Sequence, residues 1–204
     1  AKDVKYSLDR TLWPEVKSWG PSFLVNVVGA QDVLDGNTKD LEGVEIVDDY
    51  TIRITLQKPQ GVFINNLVTG PTLIVPMDYV EEVGLEYFSS HPIGTGPYKF
   101  VEWTPGQKLV IEANPDFFGD RKPHIETIEY QIGIDPTVAV LKLAAGEIDV
   151  MYDNIPPSEF ASMTTEEKWQ GWVDSATVYY TGWIGMNIET EPFTDKRVRQ
   201  AVAM

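Results

Sequence analysis

Two carboxylates, Glu147 and Asp149, stand two residues apart directly after a glycine. On a strand, side chains two residues apart point to the same face, so this spacing brings the two carboxylates together. Such a pair can hydrolyse a glycosidic bond if the groups lie about 5 to 9 Å apart and one has a raised pKa. Nothing in the neighbouring sequence favours a raised pKa, and no G-x-S-x-G motif supplies another nucleophile. A carboxylate-dependent hydrolase that uses Glu147 and Asp149 is kept only as the alternative to a binding function.

A polar tripeptide, Tyr152-Asp153-Asn154, follows the next apolar run of the sequence. In open α/β sheets, ligands bind beyond the carboxyl ends of the strands, and this position favours a ligand site. The other interpretation is a plain turn, because aspartate and asparagine are common turn formers.

The last aromatic-rich run places Trp183, Gly185 and Asn187 on one face of a predicted strand, because strand side chains alternate. An indole ring on that face can stack on a sugar or lie over a peptide side chain, with its N–H free to donate. Alternatively, Trp183 belongs to the core, although Tyr180 and Ile184 on the opposite face can fill that core.

Other candidate residues favour structural roles. The chain has two histidines, His91 and His124, and no cysteine, so we expect neither a metal site nor a cofactor. His91 precedes a proline and is interpreted as a loop residue. Arg197 and Arg199 are expected to pair with acidic neighbours or to cap the last helix rather than bind a substrate.

Composition excludes several classes of partner. The 204 residues carry a net charge of -15, which argues against binding to nucleic acid or to anionic membranes. The hydrophobic share of 43% is enough for a sizeable core. The sequence has no apolar run of about 18 residues, the length that a membrane-spanning helix needs.

The first ninety residues alternate between helical and strand patterns. Apolar residues at helical spacing predict a helix over 2–12, and a second helix is predicted over 22–34. Periodicity is lost after residue 84, and we place a domain boundary near residue 90. Between the second helix and residue 84, the patterns predict a hairpin over 43–56, a short helix at 62–67, a short strand at 72–76 and a short helix at 77–84.

The second half of the chain predicts a mixed α/β sheet. Two alternating runs flank the turn sequence TPGQ and predict a hairpin over 98–113, and Asn114 is expected to cap locally, with Phe117 and Phe118 packed beneath it. A strand over 125–134, a helix over 136–145 and a strand over 148–152 predict a parallel right-handed crossover. In this unit Asp135 and Pro136 begin the helix, and Gly146 ends it.

Four motifs resemble one family in order and spacing: PIGTGPYKFVEW, LVIEANPDFFGDRKPHIETIEYQI, LKLAAGEIDVMYDNIP and MNIETEPFTDKRVRQAVA. Together they resemble the extracytoplasmic solute-binding proteins of ABC transporters that carry oligopeptides, dipeptides, nickel chelates and, in some members, oligosaccharides. The opening AKDVKYSLDR is similar to a segment of the same family. The resemblance covers nearly the whole chain.

The resemblance implies a partial fold of the type II periplasmic-binding-protein class. Residues 1–90 correspond to part of the accessory domain of the first lobe. Residues 91–204 correspond to the central mixed-sheet part of lobe I, cut within a helix. Full-length members are more than twice as long, so the chain is expected to be an internal fragment.

The resemblance also implies a function. Two lobes close on a solute, an oligopeptide by default with an oligosaccharide kept open, and deliver it to a membrane permease. The expected ligand contacts are Tyr152, Asp153, Asn154, Trp183 and Gly185. We expect a monomer without catalytic activity, located in the periplasm or on the cell surface as a lipoprotein.

Overall fold

The computed structural model describes residues 1–174 and 183–203, which form two compact units. The first unit is Ala1–Ile134 and the second is Asp135–Met204. Each unit contains its own cluster of buried apolar side chains, and each is described separately below.

The first unit contains short helices and two antiparallel sheets. Its helices are α1 (Lys2–Thr11), α2 (Pro21–Leu24), α3 (Ala30–Leu34), α4 (Phe63–Asn66), α5 (Met77–Val83) and α6 (Leu85–Ser90). Its strands are β1 (Val44–Asp48), β2 (Thr51–Ile54), β3 (Tyr98–Thr104), β4 (Lys108–Ala113) and β5 (Thr127–Gln131). Pro14–Val16 and Gly70–Thr72 each form a 3₁₀ turn.

Helix α1 forms as predicted, because its apolar residues recur at helical spacing. Leu8 and Leu12 on this stripe are buried, and Val4 packs at the edge of the same cluster. The buried members of this main cluster come from α1 to α4, β1 and the loops between them: Leu8, Leu12, Leu24, Val27, Ala30, Val33, Leu41, Val44 and Phe63.

The polar face of α1 holds the segment before α5. The Val75 amide donates to the Ser7 hydroxyl at 2.9 Å, and the Met77 amide donates to Asp3 Oδ1 at 2.9 Å. Side chains of α1 therefore accept hydrogen bonds from backbone amides that, in a strand, would donate to a neighbouring strand. The strand predicted over 72–76 does not form, and this contact with α1 is the physical reason.

The helix predicted over 22–34 is divided into α2 and α3. Gly29 has a φ of +81°, a left-handed conformation that breaks the helix. Just before it, Val27 pairs with Leu56 in an isolated antiparallel bridge, and the Val28 amide donates to the Thr55 carbonyl at 3.0 Å. Pairing with a distant segment has replaced the helical hydrogen bonds that the local pattern favoured.

The hairpin predicted over 43–56 is confirmed as β1 and β2, with Val44 opposite Ile54 and Ile46 opposite Ile52. The predicted short helices are present as α4 and α5, and Gly84 ends α5 with a φ of +83°. Sequence reasoning missed α6, which buries a single aromatic side chain, Phe88, and so leaves little periodicity to detect.

The second sheet of this unit has the strand order β3-β4-β5, and both pairings are antiparallel. Phe100 lies opposite Ile111, and Leu109 lies opposite Tyr130. This confirms the predicted hairpin over 98–113 and the strand that follows it. A register shift between Phe100 and Glu102 marks a bulge in β3.

Asn114 fixes the end of this sheet, as predicted. Its side-chain amide donates to the Gly96 carbonyl at 2.9 Å, and its Oδ1 accepts from the Asp116 amide at 3.1 Å. Phe117 is half-buried, but Phe118 is exposed and does not pack under the turn, so that part of the prediction is wrong.

The second unit is helical in its described part, with α7 (Pro136–Ala145), α8 (Pro157–Thr165), a 3₁₀ turn at Glu167–Trp169 and α9 (Lys196–Val202). The ends of α7 confirm the prediction. Asp135 Oδ1 accepts from the amides of Thr137 and Val138, and Gly146 ends the helix with a φ of +72°.

The parallel crossover predicted around α7 does not form. Residues 148–152 are not a strand, and Val150 and Tyr152 in this segment are exposed. A strand needs a neighbour for its backbone groups, and across 135–174 and 183–203 the structure contains no strand that could provide one.

Within the described residues, 1–174 and 183–203, no helix is long and apolar enough to cross a membrane.

Candidate functional site

The tripeptide Tyr152-Asp153-Asn154 lies in the loop between α7 and α8 and projects into solvent. Met151, before it, and Ile155, after it, both pack against the buried cluster of the second unit. The tripeptide between these anchors is exposed, and Tyr152 is 91% exposed. Two apolar anchors therefore hold a short polar loop whose side chains are accessible to a ligand.

Local sequence explains why this loop is short and defined. Gly146 stops α7 in the left-handed conformation that favours glycine. Pro157 occupies the first position of α8, where its missing amide hydrogen costs nothing. The loop is thus bounded by a helix stop and a helix start, rather than by the strand that the sequence predicted.

Trp183 and Gly185 lie together in an extended segment outside regular secondary structure. A β-carbon at Gly185 would lie 3.1 Å from the six-membered ring of Trp183, so the indole rests against the glycine. Trp183 is 83% exposed in this structure. Asn187 accepts a hydrogen bond at its Oδ1 from the Glu189 amide at 3.0 Å and forms a local turn.

The strand predicted across this region is not formed over the part that the structure describes. Residues 183–187 have no ladder partner among the described residues, and Tyr180 lies outside those residues. The alternation that placed Trp183, Gly185 and Asn187 on one strand face is therefore not the reason for their exposure. Their role in ligand binding stays a prediction.

The carboxylate pair offers no catalytic geometry. Glu147 and Asp149 are both exposed on the loop that leaves α7. Glu147 Oε2 lies 3.9 Å from the Lys142 ammonium, which makes it part of a surface ion pair at the helix end. The strand that was expected to place both carboxylates on one face is absent, and the hydrolase alternative has no support.

Arg197 of the last helix pairs with an acidic neighbour, as predicted, whereas Arg199 contacts backbone carbonyls instead. Arg197 donates to both carboxylate oxygens of Asp195, and this contact lowers the pKa of Asp195. Arg199 donates to the carbonyls of Phe193 and Thr194, which precede the helix. His91 follows α6, where its ring stacks on Tyr87 with centroids 4.0 Å apart.

Sequence reasoning missed a groove of about 420 Å³ beside the end of α7. Its walls are the last turn of α7 and the side chains of Lys168, Trp169 and Trp172. The indole N–H of Trp169 is buried and has no hydrogen-bond partner among residues 1–174 and 183–203, whereas Trp172 is exposed. Lys168 donates to Glu166, which lowers the pKa of that carboxyl. The sequence signal for this groove was the pair of tryptophans, Trp169 and Trp172, three residues apart.

Comparison with known proteins identifies the class. All 204 residues match the profile of the family described as bacterial extracellular solute-binding proteins, family 5 Middle. The chain belongs to this family. Members of the family are solute-binding proteins of ABC transporters and not enzymes.

Two relatives show the range of similarity. The oligopeptide-binding protein AppA of Bacillus subtilis is 35% identical over 79% of this chain and 30% of its own length. The periplasmic oligopeptide-binding protein OppA of Salmonella typhimurium is 30% identical over 100% of this chain and 38% of its own length. The chain therefore spans about a third of the length of these relatives.

Solved structures support the same fold. The crystal structure of Haemophilus influenzae OppA in complex with RPPGFSPFR matches 98% of this chain and 40% of its own chain, with a TM-score of 0.81 and 26% identity. The crystal structure of NikZ from Campylobacter jejuni in complex with Ni(L-His) has a TM-score of 0.67 and 26% identity over 98% of this chain. The chain is thus part of a mixed α/β protein of the type II periplasmic-binding class.

Proposed function

We propose that the chain is part of an extracytoplasmic solute-binding protein that captures an oligopeptide between two lobes and delivers it to an ABC permease. The observation that carries this proposal is the family match over all 204 residues, together with relatives named as oligopeptide-binding proteins. In this proposal residues 1–90 belong to the accessory domain of the first lobe, and residues 91–204 belong to the central part of lobe I.

The exposed tripeptide supplies groups that suit a peptide. Tyr152 offers a phenol ring, Asp153 a carboxylate for a positively charged amine, and Asn154 an amide that both donates and accepts. All three are accessible, and Met151 and Ile155 hold their loop in place. A loop that is held in advance loses less conformational entropy when a ligand binds.

Trp183 supplies an apolar surface for the same solute. Its ring is exposed and rests on Gly185, so the glycine leaves room for the indole to lie flat. A stacking contact of this kind contributes about 0.5 to 1.5 kcal/mol beyond the area that it buries. We propose that Trp183 and Gly185 contact the solute as a unit.

The experiment is a titration of the ¹⁵N-labelled chain with a tripeptide pool, followed by amide chemical shifts. A parallel titration with maltotriose tests the oligosaccharide alternative. We expect the peptide pool alone to shift the amides around 152–154 and 183–185. Binding should be weak, with a Kd of about 1 mM or higher, because exposed loops cannot enclose the roughly 70% of a ligand that tight pockets bury.

The variant Trp183→Ala tests the aromatic contact. We expect peptide affinity to fall by about 2- to 12-fold, the equivalent of one stacking contact, while the melting temperature changes only slightly. The matched control is Trp172→Ala, another exposed tryptophan of the second unit. Equal losses for both variants, or shifts with maltotriose in place of peptides, would contradict the proposal.

A further inference from the structure

A second groove, also of about 420 Å³, lies in the first unit where α1 and α6 meet. Arg10 of α1 and the side chains of Leu85, Glu86 and Phe88 of α6 line it, together with Glu15 from the 3₁₀ turn that follows α1. Sites for small molecules usually measure about 300 to 1,000 Å³, so this space is large enough for one. We call it the Arg10 groove.

The guanidinium of Arg10 is partly buried and unpaired. Its central carbon lies 5.7 Å from the centre of the Phe88 ring, and burial lowers its pKa. Its Nε is buried, and within residues 1–174 and 183–203 it has neither a hydrogen-bond partner nor a carboxylate in an ion pair. The chain has 31 acidic residues against 16 basic ones, so a shortage of carboxylates is not the reason. A buried arginine without a partner is rare, and a ligand can supply the missing anion.

Glu86 brings the opposite charge to the same groove. It is exposed, and it forms no ion pair with any residue that the structure describes. The other glutamate, Glu15, is paired with Lys39 at 2.5 Å, and this contact lowers the pKa of Glu15. The groove therefore holds a guanidinium and a carboxylate that line one small space without pairing with each other.

The rest of the wall is apolar and held in place. Phe88 belongs to a buried cluster with Tyr6 and Val80, and Leu85 packs against that cluster. The ring of Tyr6 is fixed in turn by Trp13, which it meets edge-on with centroids 5.5 Å apart. A wall that is packed in advance loses little conformational entropy when a ligand binds beside it.

We infer that the Arg10 groove binds a small zwitterion with an apolar body, namely an apolar α-amino acid, with its carboxylate on Arg10 and its ammonium on Glu86. The planar fork of a guanidinium suits a carboxylate, which can accept two parallel hydrogen bonds from it. A ligand with a single charge would leave either Arg10 or Glu86 without a partner. A zwitterion satisfies both, and it adds no charge to a chain that already carries -15. The inference does not depend on the proposed solute contacts at 152–154 and 183–185.

The test is an amide-shift titration of the ¹⁵N-labelled chain with L-leucine, in which the Arg10 Nε–H signal is followed as well. Isocaproate is leucine without the amine, and isoamylamine is leucine without the carboxylate. We expect leucine to bind with a Kd on the order of 1 mM and to shift the Arg10 Nε–H and the amides of 85–89. Each analogue should bind about tenfold or more weakly, because one charge-assisted hydrogen bond is lost.

Two variants each remove one charge. Arg10→Gln should weaken leucine binding about tenfold or more and leave isoamylamine binding unchanged, whereas Glu86→Gln should weaken leucine binding and leave isocaproate binding unchanged. Arg10→Lys keeps the charge without the fork and should recover part of the affinity. The matched controls are Arg53→Gln in β2 and Glu82→Gln in α5, both exposed and outside the groove, and we expect them to bind leucine normally.

Several results would overturn the inference. Equal binding of leucine and either analogue would show apolar adhesion without recognition of both charges. A large change of the Arg10 Nε–H signal in Glu86→Gln without ligand would show that the two side chains pair with each other in solution. Unchanged leucine affinity in Glu86→Gln, a test that holds even if Arg10→Gln does not fold, would also contradict it. If peptides shift 152–154 and 183–185 but leucine leaves 85–89 unmoved, this inference fails and the proposed function stands.

Discussion

The two units of the chain differ in how completely they enclose their cores. In the first unit Leu24, Val27 and Val33 are fully buried, within a cluster drawn from four helices and a strand. In the second unit the described part of the buried cluster consists of Val140, Met163 and Trp169, and Val140 is still 4% exposed. The first unit is built as a scaffold, whereas the second presents loops on a small core.

The two units also differ in what holds their exposed segments in place. Met151 and Ile155 anchor the loop at 152–154 on the buried cluster of the second unit. In the first unit, hydrogen bonds to the Phe23 and Pro71 carbonyls hold α2 and the 3₁₀ turn at Gly70–Thr72 in place.

The largest expected effect comes from opening the core of the first unit. Leu24→Ala should lower the free energy of unfolding by about 3 to 5 kcal/mol, because the surrounding cluster cannot close around the cavity. Met163→Ala in the second unit should cost only about 2 kcal/mol, since its small cluster can relax. Urea unfolding followed by amide exchange in each unit gives both values. Equal losses would remove the contrast between the units.

A smaller effect is expected at a close contact between segments. A β-carbon at Gly43 would lie 2.7 Å from Val27 Cγ1 and 2.8 Å from the Thr55 carbonyl oxygen. Gly43→Ala should therefore destabilise the first unit by about 1 to 3 kcal/mol, as overpacking does. Gly61→Ala is the control, because no atom of the described residues, apart from Gly61 and its two chain neighbours, lies within 4 Å of the added carbon. A neutral Gly43→Ala would mean that the bridge between Val27 and Leu56 can shift freely.

The helix cap of the second unit should have an intermediate effect. Asp135→Ala removes the acceptor for the Thr137 and Val138 amides and should destabilise α7 by about 1 kcal/mol. Amide exchange of residues 137–145 measures this loss. Asp149→Ala, which removes an exposed carboxylate from the following loop, should leave these rates unchanged. Unchanged exchange in both variants would show that the cap adds nothing to a helix held by its core.

The smallest effect is a pH dependence of the first unit. Burial raises the pKa of Asp9 above its ordinary value of 3.8, although Lys5 lies nearby and the Leu41 amide donates to this carboxyl. The folded state then holds the proton more tightly than the unfolded state, so stability falls as pH rises from 3.8 through the raised pKa.

The variant Asp9→Asn should flatten this dependence of stability on pH, and its amide oxygen can still accept a hydrogen bond from the Leu41 amide. Urea midpoints measured across this pH range, with Asp78→Asn as an exposed control, check the prediction. If stability falls more steeply with pH in Asp9→Asn than in the unchanged chain, the ion pair with Lys5 outweighs burial in setting the pKa of Asp9.

The sequence by itself determined the elements whose signals are local. Helix α1 follows from the spacing of Leu8 and Leu12, and α7 follows from its cap at Asp135 and its stop at Gly146. The two hairpins follow from alternation on either side of a turn. In each case the residues that decide the structure are neighbours along the chain. The four family motifs, read in order, likewise indicated the class of protein that the comparisons show.

Only the tertiary structure decided the elements that depend on a distant partner. The bridge between Val27 and Leu56 divided a predicted helix in two, and the hydroxyl of Ser7 took the place of a strand partner for Val75. Residues 148–152 carry a strand pattern but form no strand, because the described part of the second unit contains no strand that could pair with them. For the candidate site, the sequence named Tyr152 and Trp183; packing of Met151 and Ile155 leaves Tyr152 in solvent, and Trp183 is exposed as well. A local pattern states a preference, but backbone groups pair with whatever segment the fold brings within reach.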